Sequence, residues 1–199
     1  MLDMTMLGDA LVKNWPIWFV TVTLVVAAVI DGYQLKVPNW ITFPMILSGW
    51  AFNLMYFGWA GLGWSLVGTA VGLALLLPAY AIGGMGAGDV KLLAGVGAWV
   101  GANYWYPDGD HGAWVMFYAF CVSAVIGGVI AVGMVLVGRG WHKHKAQFWL
   151  ILSEVMTIRD PNQLSAIAAD RKSSMMLLPY GIPIAIGTIA YFAWAGMLI

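Results

Sequence analysis

The sequence predicts an all-α polytopic membrane helical bundle with about six transmembrane helices, and three observations lead there. First, 62% of the 199 residues are hydrophobic, only 9% are charged, and the mean hydropathy is +0.84. Soluble domains carry about a quarter charged residues. Second, apolar stretches near the ~20 residues that cross a bilayer recur along most of the chain. Third, the few basic residues fall almost entirely on one side of the topology those stretches imply.

The spans are residues 16–30, 40–59, 62–82, 90–104, 113–137 and 176–198. The first and fourth are short, and either extend by a turn into a neighbouring loop or sit in a locally thinned bilayer. With the loop after the first span cytoplasmic, Lys36, Lys91, Arg139, Lys143, Lys145, Arg159, Arg171 and Lys172 lie inside and only Lys13 outside. The positive-inside bias selects that orientation, which puts the N-terminus outside. No small-residue cleavage site follows the first apolar run, so the first span reads as an uncleaved insertion signal.

The chain reads as one membrane domain, residues 1–199, with a polar cytoplasmic loop at about 138–175. Within that loop, residues 145–158 alternate polar side chains with Phe148, Leu150, Ile151, Leu152, Val155 and Met156, a pattern open to an interfacial amphipathic helix but read first as a solvated tether lying on the headgroups. Trp141 with His142 and His144 reads as a membrane-end anchor rather than a metal site. No metal or cofactor is expected. The single Cys121 leaves no disulfide and no paired-cysteine zinc site. Zero net charge argues against a nucleic-acid partner. Gly68 with Gly72, and Gly97 with Gly101, have the spacing that lets membrane helices approach closely. They serve packing either within the bundle or between protomers, which leaves a homo-oligomer open. Pro44, Pro78 and Pro183 lie inside spans and predict kinks or locally freed carbonyls.

Two acids sit where a bland account does not put them. Asp31 ends the first span after a long apolar run, and Asp89 opens the fourth after Gly83-Gly84-Met85-Gly86-Ala87-Gly88. A carboxylate at membrane depth costs a few kcal/mol unless it faces protein or a water-filled cavity. Asp89 has a simple alternative as an N-cap, where both hydrogen bonding and the helix dipole favour aspartate. Asp31 has none, because a helix C-terminus repels an anion. Charge topology brings both to the cytoplasmic face. Two carboxyls held close share one proton, so an ionised member can take a proton from water while its protonated partner polarises a carbonyl. Gly86 and Gly88 remove side chains where the backbone bends and where another chain must approach. Pro38 and Asn39 shape the loop behind Asp31 by ordinary turn chemistry. Lys91 either biases the aspartate pair or anchors its helix at the headgroups.

These residues resemble the type IV prepilin peptidase family of membrane aspartic peptidases. Gly86-Ala87-Gly88-Asp89 matches that family's GxGD motif. Asp31 ahead of Val37-Pro38-Asn39 is similar to its other catalytic aspartate and Pro-Asn loop, and Pro179-Tyr180-Gly181 is similar to the segment opening its last helix. The resemblance implies a bacterial inner-membrane endopeptidase that removes the basic leader of type IV prepilins and pseudopilins at the cytoplasmic face. Longer family members carry a domain with paired CxxC motifs and also methylate the new terminus. This chain lacks those cysteines and is closer to the compact peptidases of Tad/Flp pilus systems. Two other readings place the carboxylates differently. A transporter would use them to bind a cation or relay protons, and a non-catalytic pilus assembly protein would not use them at all.

Overall fold

A computed structural model describes residues 14–81, 84–101, 112–137 and 179–198, with positions 149, 150, 153 and 157. Among these residues the structure is helical throughout, without strand. Five helices follow in order: α1 (Trp15–Gln34), α2 (Asn39–Ala81), α3 (Ala87–Val100), α4 (Gly112–Val137) and α5 (Gly181–Trp194). Of the stretch 145–158, only positions 149, 150, 153 and 157 are described, all helical and exposed, while the His142 and His144 pair and most of the polar loop lie outside the described residues.

Among the described residues, three helices are long and apolar enough to cross a membrane: α1, α2 and the stretch Trp114–Met134 of α4. Their outward faces carry apolar side chains, including Val22, Val25 and Val29 on α1 and Val125, Val129 and Val132 on α4, all exposed. Such a surface suits lipid, where no solvated polar group is needed because every backbone bond is internal. The protein is a helical membrane protein.

Helix α2 joins two of the expected spans, and the boundary between them is real. Gly58 departs from helical geometry at φ 65° and ψ −156°, a conformation that only glycine adopts cheaply. Beyond it the chain folds back. Trp50 Nε1 donates to Thr69 Oγ1 at 3.0 Å, which sets the two halves of α2 side by side. Pro44 and Pro78 lie inside α2, whose one departure from helical φ/ψ falls at Gly58. Pro183 lies in the first turn of α5, where the missing N–H has no intrahelical partner to lose.

Helix α3 lies against both halves of α2. Gly68 and Gly97 meet so closely that a Cβ on either would collide with the other's carbonyl oxygen. The four-residue glycine spacing thus packs α2 on α3 within the chain. Polar groups lock the contact: Asn53 Nδ2 donates to Ala98 O at 2.8 Å, and Ser65 Oγ donates to the same carbonyl. From Leu92 to Val100 every residue of α3 is buried. Helix α3 starts at Ala87, ahead of the span expected there, as a short span extending into its neighbouring loop does. Helix α5, at 14 residues, is shorter than its expected span.

Helix α1 starts at Trp15, with Pro16 in its first turn, and runs a turn further than expected. It stops at Leu35, which takes the left-handed conformation (φ 53°) and donates its N–H to Asp31 O at 2.8 Å. Asp31 therefore belongs to the last turn of α1 instead of following it. The chain then needs only a few residues to reach α2, whose first turn is fixed by Ile41 N donating to Pro38 O at 3.1 Å.

Candidate active site

Three helix ends converge on one region: the last turn of α1, the first turn of α3 and the first turn of α5. Asp31 is 1% exposed and Asp89 is 4% exposed, so both carboxyls are withdrawn from lipid and from bulk water. Charges so placed are held by partners or not tolerated.

Asp89 is held locally. Gly86 is the N-cap of α3 and Asp89 its third residue, and the Gly86 N–H donates to Asp89 Oδ2 at 3.0 Å. This is half of a capping box, since Gly86 has no side chain to return the bond. Asp89 is thus not the N-cap itself, but it profits from the same helix dipole.

Asp31 is held from the far end of the chain. The Gly181 N–H, at the start of α5, donates to Asp31 Oδ2 at 2.7 Å across 150 residues of sequence. The mismatch of an anion at the C-terminus of its own helix is resolved by a second helix, whose N-terminus points at it. Gly181 must be glycine for this: a Cβ there would lie 2.9 Å from Oδ2 and 3.0 Å from the Asp31 Cβ.

Tyr180 stands next to the residue that holds Asp31. While Gly181 bonds Asp31, the neighbouring Tyr180 phenol lies within electrostatic reach of Asp89. Sequence reasoning assigned neither residue a role. The available signal was the Pro179-Tyr180-Gly181 run.

The loop residues close the arrangement. A Cβ on Gly88 would collide with the Val37 carbonyl, so Gly88 lets the 35–38 loop lie on the first turn of α3. Lys91 Nζ donates to Asn39 Oδ1 at 3.0 Å and stands 4.7 Å from the Phe43 ring centroid. Lys91 is therefore tied to the start of α2, an arrangement that neither expected role described. Pro38 contributes its carbonyl to the first turn of α2. The contacts thus link Gly86 to Asp89, Gly88 to Val37, and Lys91 to Asn39.

An apolar cavity of about 280 Å³ opens beside these residues, with Met85, Leu93, Phe120, Tyr180, Pro183 and Ile184 among its walls. Met85 precedes the Gly86 that caps Asp89, and Tyr180 precedes the Gly181 that bonds Asp31. The cavity walls are largely apolar, which suits an apolar side chain, and neither aspartate is among them. Among the described residues no three His, Cys, Asp or Glu side chains gather as a metal site does.

The profile of the type IV leader peptidase family matches residues 18–132, a stretch that contains both aspartates and ends before Tyr180 and Gly181. The prepilin leader peptidase/N-methyltransferases of Aeromonas salmonicida (strain A449) and Aeromonas hydrophila are each 30% identical to this chain over 132 residues. The matched stretch is 63% of this chain and 41% of each relative, so the likeness covers less than half of those proteins. No solved structure matches the chain. With more than half of its length fitting one family profile, and both buried aspartates inside the fit, the chain belongs to the type IV leader peptidase family.

Proposed function

We propose that the protein is an aspartic-type endopeptidase that removes the leader of type IV prepilins, with Asp31 and Asp89 as its catalytic pair. One observation carries the reading: two carboxyls buried in an apolar bundle are each held by a main-chain N–H, Asp89 by Gly86 and Asp31 by Gly181. Burying two acids costs free energy that helix capping alone, worth about 1 kcal/mol, does not repay.

The chemistry needs one proton shared between the carboxyls. The ionised member accepts a proton from water as the water oxygen bonds to the scissile carbonyl carbon, and the protonated member gives its proton to the carbonyl oxygen. The resulting tetrahedral diol collapses: the C–N bond breaks, the nitrogen leaves with a proton from the pair, and one diol hydroxyl returns a proton to it. The pair ends with the single proton it began with, and no cofactor is consumed.

On this reading the chain is one peptidase domain of the bacterial inner membrane with its pair at the cytoplasmic face. Its substrate carries a short basic leader, as in Flp-like pilins of Tad systems, and proteolysis proceeds without methyl transfer. Gly86, Gly88, Lys91, Pro38 and Asn39 support the pair by fixing the first turn of α3 against the loop behind Asp31. The test is co-expression with a leader-bearing pilin precursor, read as a mobility shift on an immunoblot. Wild type removes the leader, whereas Asp31→Asn and Asp89→Asn leave the precursor intact. Cleavage surviving either substitution refutes the pair.

A further inference from the structure

We infer that Gly181 is a positioning residue of the peptidase, its main-chain N–H setting where the Asp31 carboxylate stands. The inference rests on the catalytic reading of Asp31 and adds to it a residue outside the stretch that the family profile matches.

Three observations support it. The Gly181 N–H meets Asp31 Oδ2 at 2.7 Å in a buried setting, a short charge-assisted bond. Gly181 is the first residue of α5, so its N–H is one of those an α-helix leaves without an intrahelical acceptor, and Asp31 supplies what α5 itself cannot. The space a side chain would need is already occupied by Asp31: the added Cβ would stand 2.9 Å from Oδ2, 3.0 Å from Cβ and 3.1 Å from Cγ. Those atoms belong to a buried side chain on the last turn of α1 and cannot swing into solvent. A methyl at position 181 therefore moves the carboxylate itself. Misplacement by about 1 Å can cost about a hundredfold in rate.

The experiment uses the full-length protein in detergent or vesicles with a purified leader-bearing precursor. Gly181→Ala is expected to lower kcat by about 10²-fold with KM changed less than about twofold. A merely structural role for Gly181 predicts instead less folded protein with kcat per folded molecule unchanged, and that result overturns the inference. Should Gly181→Ala fail to accumulate, replacement of Gly181 by glycolic acid during in vitro translation deletes the N–H and adds no side chain. An unchanged kcat in that ester likewise overturns it. Running wild type and Asp31→Asn alongside keeps the two claims apart. If wild type does not cleave, or Asp31→Asn still does, the peptidase reading fails. If those controls behave and Gly181→Ala matches wild type, only the positioning role fails.

Discussion

The two acids of this bundle are held by the same kind of bond at opposite extremes of range. Asp89 takes the N–H of Gly86, three residues away on its own helix, in a partly buried setting. Asp31 takes the N–H of Gly181, 150 residues away on another helix, in a buried one. The first site forms as soon as α3 forms. The second exists only when α1 and α5 have packed. Asp89 is thus a local feature with a catalytic candidate in it, and Asp31 is a product of the tertiary fold.

The largest expected effect treats the acids alike. Asp31→Asn and Asp89→Asn each keep an oxygen able to accept the main-chain bond, because Asn and Asp cap helices almost equally well. Each removes a member of the proton-transfer pair, and kcat should fall at least about 10³-fold with the thermal midpoint in detergent moved by only a few degrees.

Truncation should separate them. Asp31→Ala leaves the buried Gly181 N–H unmatched, which costs about 1–3 kcal/mol and loosens α5 from α1. Asp89→Ala leaves the Gly86 N–H, which water reaches in its partly buried position, and should cost less than about 1 kcal/mol. Denaturation of the two variants in the same detergent checks the difference. Equal losses would remove the contrast.

A smaller effect is expected at the strut between α3 and the loop behind Asp31. Lys91→Met gives up the bond to Asn39 and the contact with the Phe43 face, for a loss of about 1 kcal/mol in stability. Activity should fall about tenfold through displacement of the first turn of α3. Asn39→Ala should reproduce that loss, and the double variant should be no worse than either single one, since both break one contact. Smallest of all, Trp50→Phe removes the bond to Thr69 between the halves of α2, costing about 1 kcal/mol in stability and nothing in activity.

The same contrast explains what was legible in the sequence. Asp89 and Gly86 are readable because they are neighbours in the chain, Gly86 lying three residues before the acid it bonds, whereas the partner of Gly88, Val37, lies on a distant loop and is not. Asp31 was conspicuous only as a misfit, an anion at the wrong end of a helix. Its resolution lay at Gly181, and no periodicity or local spacing links positions 31 and 181. The pairing of Gly68 with Gly97 was visible as two sets of close-packing glycines, but not that they face each other. The division of α2 was readable as two spans. Gly58, where it occurs, carries no sequence mark beyond being glycine, and this chain has 25 of them. The end of α5 at Trp194 was not readable because the apolar run continues through Ala195, Met197 and Leu198.

The central claim is that Asp31 and Asp89 act as one unit despite their unlike origins, and purified kinetics on the double variant test it most directly. Groups that work as a unit are strongly non-additive, so removing both should cost little more than removing one. The account predicts that Asp31→Asn, Asp89→Asn and the combined variant hydrolyse a leader-bearing precursor at residual rates within about threefold of one another. Losses that multiply in the double variant, or cleavage near the wild-type rate in either single one, would contradict it.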